Sequence, residues 1–265
     1  MPKIKVNNIY LNYEIRGSGP KVLFIHGIGA DMKNPLGLSN SPMMEHFTIL
    51  SFDPRGLGKS DSPFEGCTIA DLAKDAADLA KAVGWKKYHV FGVSMGGMVA
   101  QELAINYPEV VDKLVLAVTH SGGNNNVPIL VDRMLDLTPL EMLKAADIRQ
   151  DEKWAAEHPE MITRMKMQTE NMRKAFDQNT DYKRGFMHQA EAVINHDTTS
   201  RLNQIKAKTL VFNGKYDGGI PLSAVEIMTK GIRHCTPVML EHGHGSWFFD
   251  PSVWKIIIEY LGNKK

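Results

Sequence analysis

Residues 92–96 read Gly92-Val93-Ser94-Met95-Gly96, a serine framed by two glycines. A serine hydroxyl is a poor nucleophile until a base takes its proton and an acid orients that base. Candidates for both roles stand further along the chain. Asp217 ends Asn213-Gly214-Lys215-Tyr216-Asp217, and two histidines share Glu241-His242-Gly243-His244-Gly245. The chemistry such a set supports is attack of the hydroxyl on a carbonyl carbon, with a covalent intermediate. Spacing alone leaves His242 and His244 open as the base. A His-x-His pair would also suit a metal, but no carboxylate or third histidine stands at a matching spacing, so no metal is expected. Asp197, beside His196, is a second acid candidate, although a capping role ahead of Thr198-Thr199 accounts for it.

The elements that must position these residues can be read around them. Tyr88–Val93 is aromatic and β-branched, as in a strand, whereas Met98, Ala100, Leu103 and Ala104 carry helical spacing. A strand that turns directly into a helix forces the residue between them into a strained, exposed conformation. Flanking glycines remove the side chains that would collide there. Ser94 is then expected at the carboxyl end of a strand and beside a helix N-terminus. Free N–H groups and partial positive charge at that point suit a developing oxyanion.

Residues 3–16 alternate as a hairpin turning at Asn7-Asn8. Val22–Ile25, Thr48–Phe52, Leu114–Val118 and Thr209–Phe212 are continuous apolar runs, and a further strand runs through Val238–Leu240. Thr68 and Asp71 form a capping pair for a helix whose apolar face carries Ile69, Leu72, Ala76 and Leu79. Strands alternating with helices predict a mainly parallel sheet covered on both sides, with sites at the carboxyl ends of strands.

Between about 121 and 199 the texture changes to charged, methionine-rich helix. Pro128, Pro139 and Pro159 mark helix starts, and Met161, Met165, Met172 and Phe176 share one helical stripe. The reading is a core of residues 1–120 and 200–265 interrupted by a helical cap over 121–199. The polar Ser121–Asn126 loop would be its hinge, and the cap's underside would face substrate.

The Gly-x-Ser-x-Gly turn in its strand–turn–helix context resembles the nucleophile elbow of the α/β-hydrolase superfamily. The order Ser94, Asp217, His244 is similar to the family's order of nucleophile, acid and base. A histidine after glycine just past the last strand also matches, which favours His244 over His242. The resemblance implies an α/β-hydrolase fold: a mostly parallel eight-stranded sheet, helices on both faces and a helical cap insertion. It also implies backbone N–H donors for the oxyanion at Met95 and, in the loop after His26-Gly27, at Ile28. Asp53-x-Arg55-Gly56-x-Gly58-x-Ser60-Asp61 matches too, and Arg55 and Asp61 are expected to brace loops. Within the superfamily the chain looks most like small bacterial carboxylesterases and enol-lactone hydrolases. The expected activity is hydrolysis of small carboxylic esters or lactones without a cofactor. The Ser94-Met95-Gly96-Gly97 string is shared with hydrolases of carbon–carbon bonds in ring-fission products, and Trp247 keeps that alternative open. A triad-bearing small-molecule receptor with slow turnover is a third reading.

Bulk properties narrow the classes. The chain has 265 residues and a formal net charge of +1, which argues for neither nucleic acid nor an anionic membrane surface. Its two cysteines, Cys67 and Cys235, make no disulfide framework. No run approaches the length of a membrane span, and the first residues carry no signal-peptide pattern. A cytoplasmic monomer or homodimer acting on a small molecule is the expectation.

Overall fold

The computed structural model describes residues 2–34, 37–38, 41–123 and 136–262. Eight strands form one sheet in the spatial order β1-β2-β4-β3-β5-β6-β7-β8. They are β1 (Lys3–Val6), β2 (Ile9–Gly17), β3 (Lys21–Ile25), β4 (Thr48–Phe52), β5 (Tyr88–Val93), β6 (Val111–Ala117), β7 (Lys208–Gly214) and β8 (Cys235–Leu240). The hairpin β1–β2 and the pair β2–β4 are antiparallel, and every other pairing is parallel. Asn7, at φ 50°, makes the hairpin turn where the Asn7-Asn8 pair predicts one. Pro237 is tolerated inside β8 because β8 is an edge strand.

Both faces of β3–β7 are buried, which is why these strands read as apolar runs, whereas the edge strand β8 is largely exposed. Leu23, Ile25, Val90 and Leu116 join one apolar cluster. Helices α1 (Ile69–Ala82) and α2 (Met95–Asn106) pack into that cluster. Val22, Phe24, Phe91 and Val115 alternate with them and face the opposite cluster, beside Trp247 and the last helix. The Thr68–Asp71 pair forms a full capping box at the start of α1.

Among the described residues four α-helices lie between β6 and β7. They are α3 (Pro139–Ala146), α4 (Glu152–Glu157), α5 (Pro159–Gln178) and α6 (Thr180–Ile194). Pro139 and Pro159 occupy first-turn positions of α3 and α5, as expected, while Pro128 falls outside the described residues. The two ends of this insertion are tied to each other. Gly122 bridges Asp197, Gly123 N donates to His196 O at 3.0 Å, and Thr198 N donates to Ser121 O at 2.8 Å. The described part of the expected hinge, Ser121–Gly123, is therefore hydrogen-bonded to the returning chain, and Asn124–Asn126 lie outside the described residues. Asp197 accepts from Thr199 N at 2.8 Å, an Asx-turn just ahead of a short 3-10 helix whose N-cap is Thr198 rather than Asp197. After β7 come α7 (Leu222–Gly231) and α8 (Pro251–Gly262).

The chain leaves β3 for β4 on one side and later enters β5 on the other side of β3. The carboxyl ends of β3 and β5 thus flank the point where strand order reverses, the place where open α/β sheets leave a crevice. Ile28 follows β3 and Ser94 follows β5. No described helix is long and apolar enough to cross a membrane.

Candidate active site

Ser94 sits between the last residue of β5 and the first of α2, at φ 55° and ψ −121°. Such backbone strain in a non-glycine residue persists only where its surroundings over-determine it. Ser94 N donates to Ala117 O at 2.9 Å, and Ser94 O accepts from Gly97 N at 2.8 Å and from the Thr119 hydroxyl at 2.7 Å. The start of α2 is pressed onto the end of β3. A Cβ at Gly96 would stand 2.1 Å from Ile25 O, and one at Gly92 would stand 2.2 Å from Gly96 O. Both are close approaches that only glycine allows, so the motif spacing is a packing requirement of the turn.

Asp217 and His244 meet as the strand ends predict. His244 Nδ1 lies 2.9 Å from Asp217 Oδ2. A carboxylate can only accept, so Nδ1 carries the proton and Nε2 is left as the basic nitrogen. The second oxygen of Asp217 accepts from Gly219 N at 2.8 Å and Ile220 N at 2.9 Å, which fixes the carboxylate plane. The Asp217 side chain is fully buried, and that of His244 is 31% exposed. His242 points elsewhere: its Nε2 lies 2.8 Å from Asp250 Oδ2 at the start of α8. The two histidines that the sequence leaves open are thereby separated. Among the described residues Ser94 has no hydrogen bond to His244; such contacts commonly tighten only with substrate in place.

The loop after β3 lies against the serine. A Cβ at Gly27 would stand 3.4 Å from Ser94 Cβ and 4.0 Å from its hydroxyl oxygen. Ile28 is the next residue, and Met95 begins α2, so both candidate oxyanion amides adjoin Ser94 along the chain or across the loop. The loop is anchored from below by Asp53, whose oxygens accept from Met32 N, Lys59 N and the Asn12 amide at 2.7–2.8 Å. Sequence reading did not assign Asp53 this role. Arg55 braces α1 through a bidentate pair with Asp75, and Asp61 is bonded to Tyr10 N, as expected of both. His26 is buried, and its burial lowers its pKa to about 4. His120, in the turn after β6, lies near enough to feel the charges of His244 and Asp217, and burial lowers its pKa to about 4 as well.

The C-terminus of α3 holds the acid and base loops together. His244 N donates to Ala146 O at 2.6 Å, and Ile148 N donates to Tyr216 O at 2.9 Å. The Arg149 guanidinium lies 4.0 Å from the centre of the Tyr216 ring, a cation–π contact. Asp147 holds Arg149 in that position through its carboxylate. A cavity of about 1180 Å³ opens above, between the Gly29–Ala30 and Gly245–Ser246 turns and the walls of α3 and α5. Met161 and Met165 of the expected stripe line it, together with polar Arg164, Gln178 and Asn179. Phe176 instead packs on Tyr182 and Phe186, so the stripe divides between cavity wall and helix core. Trp247 is buried in the aromatic cluster under α8, with its Nε1 donating to His244 O at 3.1 Å. Among the described residues no group of three or more histidine, cysteine or acidic side chains is placed to hold a metal.

A family model described as the α/β-hydrolase fold matches residues 20–264. The chain belongs to the α/β-hydrolase fold family. The protein Rv2715 of Mycobacterium tuberculosis is 34% identical over 44% of this chain, which spans about a third of that relative's length (34%). RutD of Agrobacterium fabrum is 26% identical, over 88% of this chain and 90% of its own. The crystal structure of an enol-lactonase from Burkholderia xenovorans superimposes with a TM-score of 0.75, covering 99% of this chain and 100% of that one. At 22% identity that likeness speaks for the fold alone.

Proposed function

We propose that this hydrolase cleaves small carboxylic esters or lactones through an acyl-enzyme, with Ser94 as nucleophile, His244 as base and Asp217 as its orienter. The observation that carries the reading is the 2.9 Å contact of His244 Nδ1 with a buried Asp217, at the same end of the sheet as a strained serine at its switch point. Ser94 Oγ attacks the acyl carbon as its proton passes to His244 Nε2. The carbonyl oxygen becomes an oxyanion, held by the N–H groups of Ile28 and Met95. Collapse of the tetrahedral species breaks the ester C–O bond, and the leaving alcohol takes the proton from His244. Water then attacks the acyl-enzyme with His244 again as base, which releases the acid and restores Ser94. With a lactone the alcohol stays tethered to the acyl group.

Helices α3–α6 act in this reading as the cap, and the cavity beneath them receives the substrate. Methionines adapt to varied apolar groups, whereas the polar residues of the same wall favour substrates with hydrogen-bonding groups away from the scissile bond. Carbon–carbon hydrolysis is less well served, because Trp247 is committed to the core. Two measurements test the reading. A fluorophosphonate probe followed by peptide mapping is expected to label Ser94. Aryl esters of increasing acyl length are expected to turn over best at short or medium length, ahead of a ring-fission dienoate. Feeble ester turnover beside efficient dienoate cleavage would reassign the reaction, and stoichiometric binding without turnover would favour a receptor.

A further inference from the structure

Helix α6 grips the loop that carries the Ile28 amide, and it does so at one residue, Gly29. Gly29 N donates to Gln189 Oε1 at 2.9 Å. The Tyr182 hydroxyl donates to Gly29 O at 3.3 Å. A Cβ on Gly29 would stand 2.9 Å from the Phe186 ring. Tyr182, Phe186 and Gln189 are spaced i, i+4 and i+7, so a single face of α6 holds the amide, the carbonyl and the open side of Gly29. The helix is itself seated firmly, since Gly185 packs directly on the Gly56 backbone.

The loop needs such a hold. Ala30 N donates to Gly27 O at 3.3 Å, which makes Gly27–Ala30 a tight turn with Ile28 and Gly29 at its centre. Gly29 is at φ 69°, a conformation a glycine adopts and leaves easily. The Ile28 N–H shares a planar peptide with the Gly27 carbonyl that accepts the turn's long bond, so its direction depends on how firmly the turn keeps its shape. Gln189 holds the peptide between Ile28 and Gly29, and Tyr182 holds the one between Gly29 and Ala30.

Gln189 is fully buried, and its Nε2 has no partner among the described residues. A buried donor left unpaired is a cost that native proteins seldom carry without reason. A glutamate would accept from Gly29 N without bringing a surplus donor. It would also bring a buried negative charge to the neighbour of the residue meant to bind an oxyanion. The unpaired donor is what remains when the acceptor has to be neutral.

We infer that Gln189, with Tyr182 and Phe186, positions the Ile28 amide for the transition state, making α6 part of the oxyanion machinery. The inference rests on the serine-hydrolase reading above. Gln189 and Tyr182 are positioning residues, acting on the oxyanion only through the two peptides that flank the Gly29 α-carbon. An oxyanion donor must sit within hydrogen-bond reach of the tetrahedral oxygen, which a ground-state carbonyl does not occupy. Loosening the loop should therefore weaken transition-state binding and leave substrate binding nearly intact.

The test compares wild type with Gln189→Leu, Gln189→Glu and Tyr182→Phe. Each is assayed with a p-nitrophenyl ester and with an aryl trifluoromethyl ketone, which forms a tetrahedral adduct at the serine. Active sites are first counted with a fluorophosphonate, so that misfolded protein does not enter kcat. Gln189→Leu is expected to lower kcat about 10–100-fold, below the about 100–1000-fold typical of deleting a donor outright, with KM within about threefold. Adduct affinity should fall by the same factor as kcat/KM. Gln189→Glu should be worse than Gln189→Leu, and Tyr182→Phe should show a smaller loss with the same parallel. A kcat within threefold of wild type in folded Gln189→Leu would overturn the inference. So would a fall in kcat with undiminished adduct affinity, or a Gln189→Glu enzyme as active as wild type. Should Gln189→Leu fail to fold, an unchanged Tyr182→Phe enzyme would overturn it instead. Failure of the underlying reading looks different: wild type would then not label at Ser94 at all.

Discussion

Replacing Ser94 by alanine is expected to lower ester turnover by about 10⁴–10⁶-fold, and His244→Ala by a similar factor. The double variant should be little worse than either single one. The reason is that the two residues serve one event. Without the hydroxyl there is no proton for the imidazole to take, and without the imidazole the hydroxyl remains a weak nucleophile. What survives is the contribution of the oxyanion amides and of binding, which all three variants share. Asp217→Asn supplies a sharper version of the same argument. The Gly219 and Ile220 amides both donate to one Asp217 oxygen, so an asparagine keeps its carbonyl there and turns its NH2 toward His244. His244 Nδ1 must then accept, its proton moves to Nε2, and the base is lost although the geometry is nearly unchanged. A loss of about 10⁴-fold is expected from this wrong tautomer. Steady-state kinetics on protein free of wild-type contamination decides the matter. Losses that multiply in the Ser94–His244 double variant, or a competent Ser94→Ala enzyme, would mean these residues do not act as a unit.

The sheet and the elbow were legible because their signals are local. The Tyr88–Val93 run, the Gly92 and Gly96 positions and the helical spacing after them describe one turn, and close backbone contact enforces that pattern. Asp217 and His244 were legible because each follows a strand, which brings them to the same end of a parallel sheet. Choosing between His242 and His244 from residues alone was out of reach. Both follow β8, and the difference is that Asp250, the residue before α8, captures His242. The helices between β6 and β7 were legible as helices, but not in what they touch. Met161 and Phe176 belong to the same stripe on α5, yet one meets the cavity and the other meets α6. Gln189 left no trace in the pattern, since a glutamine on a charged helix looks like a solvated one. Its partner lies 160 residues away in sequence. Contacts of that span depend on how the insertion seats on the sheet, which no periodicity encodes.

Stability is expected to fall steeply as pH is lowered from about 6.5 toward 4, before the carboxylates of the fold are protonated. Four histidines are buried, and desolvation is the largest influence on each: it lowers the pKa of His26, His120 and His196 to about 4 and that of His89 in the same direction. Nearby acids oppose the shift without cancelling it: Asp53 for His26, Asp217 for His120, and Glu102 and Asp197 for His196. His196 Nδ1 stands 3.9 Å from Glu102 Oε1, but Arg201 already occupies that carboxylate and the imidazole stays neutral. In the unfolded chain the same groups titrate near 6.5. Between the two values the unfolded state binds protons that the folded state refuses, so unfolding free energy rises with pH across this window. The stability contributed is complete above about pH 6.5, and it is lost as pH falls to the folded values. His26, His120 and His196 each account for about 3 kcal/mol, and the three together are comparable with the roughly 5–15 kcal/mol that holds a domain folded. Urea unfolding at pH 7.5, 6.5, 5.5 and 4.8 should show the midpoint dropping across the last three. His196→Asn, at the histidine that lies behind the insertion's return to the core, should remove about one proton's worth of that slope. A midpoint that stays level down to pH 4.8, or a His196→Asn protein with the full wild-type slope, would show that these imidazoles are not held neutral by the fold.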